Sequence, residues 1–288
     1  MAWNVPTPDI THNNEDGFRF KATTTEHQMA DPWDVSAHTW HELDASTAED
    51  WGGFRVNVTN NGRVHGLFHV AIGASGSEVI IADLPLYTGG EINTISMDVT
   101  IPIPAGTRIS AACSQDVRSN ITGQIVGLKA SLFSATPSFT RLECGPFDLS
   151  PGNYGRWATV DSGGSADTWG AWTEVSMATS NYSNNPLKGG SLSHDYAYFG
   201  VMCNDNFNLA QQVNHSWFDF AKGAASSEVT IIEQLKDFYL TEERPVLSSA
   251  IQWFPSDLVS GDRISVRKRC NITDATDRVS GVLLFGLR

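Results

Sequence analysis

The chain repeats parts of its own sequence, and this repeat restricts the possible folds more than any other feature of its 288 residues. Residues 73–81, GASGSEVII, recur 150 positions later as GAASSEVTI at 223–231. Residues 106–110, GTRIS, recur 155 positions later as GDRIS, and WHEL at 40–43 resembles WTEV 132 positions later. Because these markers keep the same order at similar spacing, they predict an internal duplication and hence two tandem domains.

The domain boundaries follow from composition. The first copy ends in a Leu-Phe pair, after which small residues and a proline at 134–138 are typical of a linker. The segment before Trp33 is rich in Asn, Asp and Thr. We therefore predict an extended N-terminal arm at 1–30, a first domain at 31–134 and a second domain with longer loops at 135–288.

Alternating apolar and polar residues predict strands in both copies. In residues 54–59, FRVNVT, the apolar side chains fall on one face, and the Asn-Gly pair that follows favours a hairpin turn. Further short strands, each bounded by Gly, Pro or Asn, continue the pattern, whereas helical periodicity is nearly absent. The fold prediction is all-β, with two tandem antiparallel β-sandwich domains of jelly-roll type.

Charge and targeting signals exclude several classes of partner. The formal net charge of −13 argues against a nucleic-acid partner, because phosphate contacts need Lys and Arg. No run approaches 18 apolar residues, so we expect no membrane partner. The N-terminus lacks the basic and apolar regions of a signal peptide, which predicts synthesis in a cytoplasm.

No motif indicates catalysis or a cofactor. The sequence lacks G-x-S-x-G, a phosphate loop with Lys, and H-E-x-x-H, so we expect no enzyme, no catalytic residue and no cofactor. The four cysteines show no C-x-x-C spacing and are expected to be buried thiols. His65 and His69 share a strand face about 13 Å apart, too far to bind one metal, so we expect ordinary surface or interface histidines and no metal site.

Two arginines occupy the same position in both copies, Arg108 and Arg263. They are either ligand clamps or partners of acids in their own domain, for which Glu78 and Glu228 are the repeated candidates. We favour the structural interpretation, because a residue kept in both halves is more easily explained by a requirement of the fold.

Aromatic residues of the second copy are the candidate ligand contacts. Exposed Trp and Tyr side chains stack against sugars and are frequent in protein interfaces. We select four residues that we expect to be exposed, namely Tyr182, Tyr196, Tyr198 and Trp217.

The repeated runs also resemble a known family. The pattern G-A-x-G/S-S-E-V-x-I at 73–81 and 223–231, with P-A-G-T-R-I-S-A at 104–111, is similar to virion structural proteins of tailed bacteriophages. The resemblance spans roughly residues 70–133 and 220–288. It implies a non-enzymatic component of the particle, either head decoration or cement or a tail or baseplate protein. Its implied partners are capsid or tail proteins and further copies of the chain.

Two alternatives remain beside this hypothesis. One is a carbohydrate- or host-receptor-binding module that uses the aromatic residues of the second domain. The other, less favoured, is a glycan-degrading enzyme, which needs two close carboxylates in a cleft. If the arm at 1–30 becomes ordered only on assembly, its deletion leaves folding intact and abolishes incorporation into particles.

Overall fold

The computed structural model describes residues 10–13, 18–20, 38–60, 64–88, 93–115, 121–129, 139–145, 147–148, 156–175, 185–187, 190–204, 214–239, 251–274 and 278–288. Every regular element in these ranges is a strand, so the all-β prediction is confirmed. The strands are β1 (Ile10–Asn13), β2 (Phe18–Phe20), β3 (His41–Asp44), β4 (Trp51–Asn60), β5 (Val64–Ile72), β6 (Val79–Thr88), β7 (Asn93–Val99), β8 (Ile109–Gln115), β9 (Ile121–Lys129), β10 (Leu142–Gly145), β11 (Phe147–Asp148), β12 (Arg156–Asp161), β13 (Thr173–Glu174), β14 (Tyr196–Asn204), β15 (Asn214–Lys222), β16 (Val229–Tyr239), β17 (Gln252–Leu258), β18 (Ile264–Cys270) and β19 (Val279–Leu287).

The chain divides into two compact units. Unit 1 comprises Met1–Met29 and Asp34–Leu142, and unit 2 comprises Ala30–Trp33 and Glu143–Arg288. The predicted boundary at 134/135 lies outside the described residues. The observed division comes later because Leu142 still pairs with Ala82 of β6, in unit 1.

Unit 1 is a sandwich of two antiparallel sheets. One sheet has the order β1-β9-β4-β7, and the other has the order β3-β8-β5-β6. From β3 to β9 each connection leads to the other sheet except the one between β5 and β6, which pair with each other, as in a jelly roll. The alternation seen in the sequence is reproduced in β4, where Phe54, Val56 and Val58 are buried and Arg55 and Asn57 are half-buried.

The predicted hairpin after β4 is wrong. β4 pairs with β7 and β9, whereas β5 pairs with β6 and β8, so the two consecutive strands belong to different sheets. In a jelly roll the connection at this point crosses the sandwich. The Asn-Gly pair in the sequence does not determine which strands pair.

Unit 2 has the same strand order as unit 1. Its sheets are β12-β19-β14-β17 and β13-β18-β15-β16. β15 begins 150 residues after β5, and β18 begins 155 residues after β8, matching the offsets of the sequence repeats. Phe199 of one sheet meets Phe220 of the other edge to face in the core, with ring centroids 6.3 Å apart. This common order is what an internal duplication predicts.

The prediction of an extended arm at 1–30 is wrong for the described part of that segment. β1 and β2 both pair with β9, so they complete a sheet of unit 1. Each contributes ladder hydrogen bonds that an unpaired arm does not make. We therefore expect a chain lacking residues 1–30 to lose stability in unit 1, in contrast to the sequence-based expectation.

Each unit packs an aromatic ring onto a glycine at equivalent places in the two folds. A Cβ atom on Gly127 would lie 2.3 Å from the Trp51 ring, and one on Gly286 would lie 2.3 Å from the Tyr196 ring. Both approaches are far closer than van der Waals contact, so only glycine fits beneath the rings.

We predict that Gly286→Ala destabilises the protein by about 1–3 kcal/mol, because the buried Tyr196 ring must move to accept the methyl group. Urea unfolding followed by fluorescence measures the change. Gly164→Ala is the control, since its Cβ meets nothing closer than 3.5 Å. Equal stability of the two variants would contradict the packing account.

Candidate functional site

The repeated arginine of unit 1 binds two acids and a turn. The Arg108 Nε donates to Glu42 Oε2 at 2.8 Å, and its Nη1 donates to the Gly73 carbonyl and to Glu78 Oε1, each at 3.1 Å. Glu78 also accepts a hydrogen bond from the Gly76 backbone N–H. The hydrogen bond and charge of Glu42, followed by those of Glu78, raise the pKa of Arg108.

Unit 2 contains the same arrangement. The Arg263 Nε donates to Glu174 at 2.8 Å, and its Nη1 donates to the Gly223 carbonyl at 3.2 Å and to Glu228 at 3.4 Å. Backbone N–H donors, its own first, and the Arg263 guanidinium lower the pKa of Glu228. In both units the arginine thus holds a turn whose first glycine has positive φ. We call each set of residues a turn clamp: Arg108, Glu42, Glu78 and Gly73, and Arg263, Glu174, Glu228 and Gly223.

Unit 1 also buries a charged cluster that the sequence analysis missed. Asp83 is fully buried and accepts from His69 Nδ1 at 2.7 Å and from Arg141 Nη2 at 2.6 Å. Burial alone would raise the pKa of Asp83, but the charge of Arg141 and the hydrogen bond from His69 lower it overall. The expectation of surface histidines is wrong for His69, which is 0% exposed and touches His38 edge to face.

The four predicted ligand contacts do not form one site. Tyr182 lies outside the described residues. The prediction of an exposed Tyr196 is wrong, because the ring is 2% exposed and its hydroxyl donates to the buried Glu143 at 2.5 Å. Tyr198 is half-buried on β14, and Trp217 is half-buried on β15, in the other sheet of unit 2.

Trp217 belongs to an array of aromatic and cationic side chains on the sheet β13-β18-β15-β16. The segment before β13 extends the pairing with β18, since Asp167 N–H donates to the Cys270 carbonyl and Gly170 N–H to the Lys268 carbonyl. This pairing places the tryptophans of that segment beside alternate residues of β18. The array consists, in spatial order, of Trp172, Arg267, Trp169, Arg269, Trp217 and Lys236, and we call it the tryptophan–arginine column.

The members of the column contact one another at short range. Arg267 Cζ lies 4.6 Å from the Trp172 ring centroid and 4.8 Å from that of Trp169. Arg269 Cζ lies 5.1 Å from Trp169 and 4.7 Å from Trp217. Cations at such distances are attracted by the negative ring faces, by about 0.5–2 kcal/mol for each contact.

The cations on either side of Trp217 change how it can bind a ligand. Arg269 and the Lys236 ammonium, 5.5 Å from the ring centroid, lie on the strands that flank β15. The ring stands between two cations, so its faces are not open to stacking. The column therefore offers positive charge and indole edges to a ligand, in place of the sugar-stacking face that the sequence analysis expected.

The two arginines differ in their electrostatic partners. Arg267 donates through Nε and Nη2 to Asp219 Oδ2, at 2.9 and 2.7 Å, and Asp219 is 3% exposed. Among the residues that the structure describes, Arg269 contacts no carboxylate, and its Nε is buried without a hydrogen-bond acceptor. Within the described part of the chain, the Arg269 guanidinium contacts the rings of Trp169 and Trp217.

The column is not repeated in unit 1, although Trp40 there corresponds to Trp172. At the positions equivalent to Trp217, Arg267 and Arg269, unit 1 has Leu67, Ala112 and Ser114. The signal in the sequence is the pair of arginines two residues apart in a strand, together with two tryptophans three residues apart. Neither spacing reveals that the segments are neighbours, which is why the sequence analysis missed the column.

A small cavity lies elsewhere in unit 2. Its volume is about 230 Å³, below the range of typical ligand pockets, which starts near 300 Å³. None of the four predicted aromatic residues lines it. Its walls are Phe199, Ile231, Ile232, Phe254, Pro255, Ser256 and Asp257.

Two kinds of feature are absent from the described residues. No group of three or more His, Cys, Asp or Glu in the described ranges is arranged to hold a metal ion. In the same part of the chain, no helix has the length and apolar character needed to cross a membrane.

Comparison with known proteins gives weak structural neighbours only. No family model and no curated protein matches the chain. The tandem CBM22-1–CBM22-2 domain of Paenibacillus barcinonensis Xyn10C aligns at 10% identity over 99% of both chains, with a TM-score of 0.21. The stem and receptor-binding domain of spike protein P1 from bacteriophage PM2 aligns at 8% identity over 98% of this chain and 99% of that chain, with a TM-score of 0.21. The PBSX exported protein XepA aligns at 11% identity over 90% and 88%, with a TM-score of 0.20. At these TM-scores the neighbours carry no argument about function, and the fold rests on the strand order.

Proposed function

We propose that the chain is a non-enzymatic structural component of a tailed-phage particle, acting in the head as decoration or cement or in the tail or baseplate. It works through contacts with capsid or tail proteins and with further copies of itself. It is made in the host cytoplasm and is found in the virion.

The turn clamp is the observation that supports this proposal. The runs by which the chain resembles phage virion proteins contain Gly73, Glu78 and Arg108, and these residues form the clamp of unit 1. Unit 2 uses the equivalent residues in the same way. The shared residues therefore maintain the fold, as expected of a building module, and their donors and acceptors are engaged within each unit.

Mass spectrometry of purified particles tests the proposal. Particles of the phage that encodes the chain are separated from unassembled protein on a density gradient and digested. We predict peptides of this chain in the particle fraction at a fixed multiple-copy ratio to the major capsid protein. Recovery of the chain only in the unassembled fraction would exclude the proposed role.

The tryptophan–arginine column favours a second function for the same chain, which is binding of a host-surface glycan by unit 2. The column is half-exposed, is present in unit 2 alone, and is not needed to build the sheet, because unit 1 forms the equivalent sheet without it. Binding of the full-length protein to host cells, compared with a Trp169→Ala variant, tests this function.

A further inference from the structure

We propose that the small cavity of unit 2 receives one aromatic side chain of a neighbouring particle subunit, and that a Lys or Arg lies next to this aromatic residue. The inference rests on the proposed role in a particle and specifies one of its protein contacts. It does not depend on the tryptophan–arginine column.

The cavity lies between the last strands of the two sheets of unit 2. Among the described residues, β16 is the last strand of one sheet and contributes residues 231–232 to the walls. β17 is the last strand of the other sheet and contributes residues 254–257. Phe199, 1% exposed, belongs to the hydrophobic core, whereas Asp257 is exposed. The cavity therefore extends from the core to the surface of unit 2.

The equivalent place in unit 1 is filled by a larger side chain. Phe254 and Val99 pair with equivalent phenylalanines of their neighbouring strands, so the two segments align at an offset of 155 residues. This offset places Ser256 where unit 1 has Ile101, which is 2% exposed. Serine is much smaller than isoleucine and leaves space at this position. The cavity is thus a departure of unit 2 from the shared packing, and the fold does not require it.

The size and walls of the cavity suit a single ring. Its volume is about 230 Å³, and an apolar cavity of about 150 Å³ accommodates benzene. Five of the seven wall residues are apolar, and two of these are the rings of Phe199 and Phe254, which favour edge-to-face or offset contact with another ring. Aromatic side chains inserted into pockets are frequent anchors of protein interfaces.

The charges beside the cavity favour a cation next to that ring. Lys222 Nζ lies 3.0 Å from Asp257 Oδ2 and 3.9 Å from Asp262 Oδ2, so one cation is shared by two carboxylates. The hydrogen bond and charge of Lys222 lower the pKa of Asp257, which keeps its carboxylate charged at neutral pH. The formal net charge of −13 also favours a basic partner.

The first test measures binding of phenethylamine, a ring with an ammonium group, to the full-length protein by ligand-observed NMR. The control ligands are 3-phenylpropionate, which has the ring and a carboxylate, and 2-cyclohexylethylamine, which has the ammonium group without an aromatic ring. We predict that phenethylamine binds with a Kd on the order of 1 mM. Both controls are expected to bind at least about fivefold more weakly.

Matched variants separate the cavity from net charge and from folding. Ser256→Ile introduces the residue of unit 1 and is expected to weaken phenethylamine binding by about tenfold or more, because its side chain occupies the cavity. Asp257→Asn is expected to weaken it about threefold. Glu49→Gln removes the same charge from an exposed position in unit 1 and is expected to bind like the unaltered protein. If Ser256→Ile fails to fold, as judged by urea unfolding, Asp257→Asn provides the test.

The second test follows Ser256→Ile in particles of the phage that encodes the chain. We predict that the ratio of this variant to the major capsid protein, measured by mass spectrometry, falls at least about threefold, because the neighbouring subunit loses its anchor. Glu49→Gln is the control here too and is expected to enter particles normally.

Several outcomes would overturn the inference. They are absence of phenethylamine binding, equal binding of either control ligand, and equal weakening by Asp257→Asn and Glu49→Gln. Normal entry of Ser256→Ile into particles, with phenethylamine binding lost, would also overturn it, because the cavity would then bind a ring without contacting a neighbouring subunit. Unaltered protein that enters particles but binds no phenethylamine would leave the particle role standing and remove only this inference. Absence of the unaltered chain from particles would remove both.

Discussion

Replacement of Asp83 by alanine is expected to destabilise unit 1 by about 3–5 kcal/mol, because it leaves a buried histidine and a nearly buried arginine without their carboxylate. Cys113 is the sole cysteine of unit 1 and is buried, and burial raises the pKa of its thiol. Alkylation of Cys113 in urea, located by peptide mass spectrometry, therefore reports the unfolding of this unit.

Asp98→Ala is the matched control for this prediction. Asp98 lies in the same unit and also pairs with an arginine, Arg55, but its side chain is 46% exposed. Exposed ion pairs contribute little to protein stability, so we expect the free energy of unfolding to change by less than about 1 kcal/mol. Equal protection of Cys113 in both variants would contradict a stabilising role for the buried cluster.

Asp83 is also expected to make the stability of unit 1 depend on pH, with stability lost in acid. The pKa of Asp83 in the folded protein is lowered from its ordinary value of 3.8, chiefly by Arg141 and His69 acting against burial. A lowered folded-state pKa adds stability above the unfolded-state pKa, and that stability is lost as the pH falls through the folded-state pKa. The stability difference between unaltered protein and Asp83→Ala should shrink as the pH falls below about 4.

Loss of a turn clamp is the second large expected effect. Arg263→Gln removes the guanidinium from Glu174 and Glu228 and from the Gly223 carbonyl. We expect the unfolding midpoint of unit 2 to fall by about 4–8 °C, since charge-assisted hydrogen bonds are lost at a turn with unusual backbone geometry. Alkylation of Cys203 and Cys270, both buried in unit 2, during heating measures this midpoint.

Two comparisons make the clamp prediction specific. Arg278→Gln removes an arginine of the same unit whose partner, Asp161, is exposed, and we expect a much smaller shift. Arg108→Gln removes the equivalent clamp of unit 1 and is expected to lower the midpoint reported by Cys113. An Arg263→Gln variant that unfolds at the normal temperature would contradict the structural interpretation of the clamp.

Local sequence patterns predicted most of the fold. The alternation in β4 identified its buried face, and the offsets of 150 and 155 residues located equivalent strands of the two units. These patterns do not show which strands pair with one another. The Asn-Gly pair after β4 favoured a hairpin, and only the strand order shows that the chain crosses to the other sheet there.

The candidate site was less predictable because it depends on contacts between distant segments. Tyr196 was selected as an exposed residue, yet a glycine on β19 and a buried glutamate at the start of unit 2 make it a core residue. Trp217 was selected for an open ring face, and Arg269 and Lys236 flank that ring. The aromatic composition of the second copy indicated a distinctive surface, but the arginines that define its chemistry come from another strand.

The most direct measurement of the proposed function is electron cryomicroscopy of particles from the phage that encodes the chain. We predict density for two jelly-roll units per copy, repeated by the symmetry of the head or tail, with side chains of this protein in contact with neighbouring subunits. Complete and infectious particles that contain no density for the chain would contradict its role as a structural component.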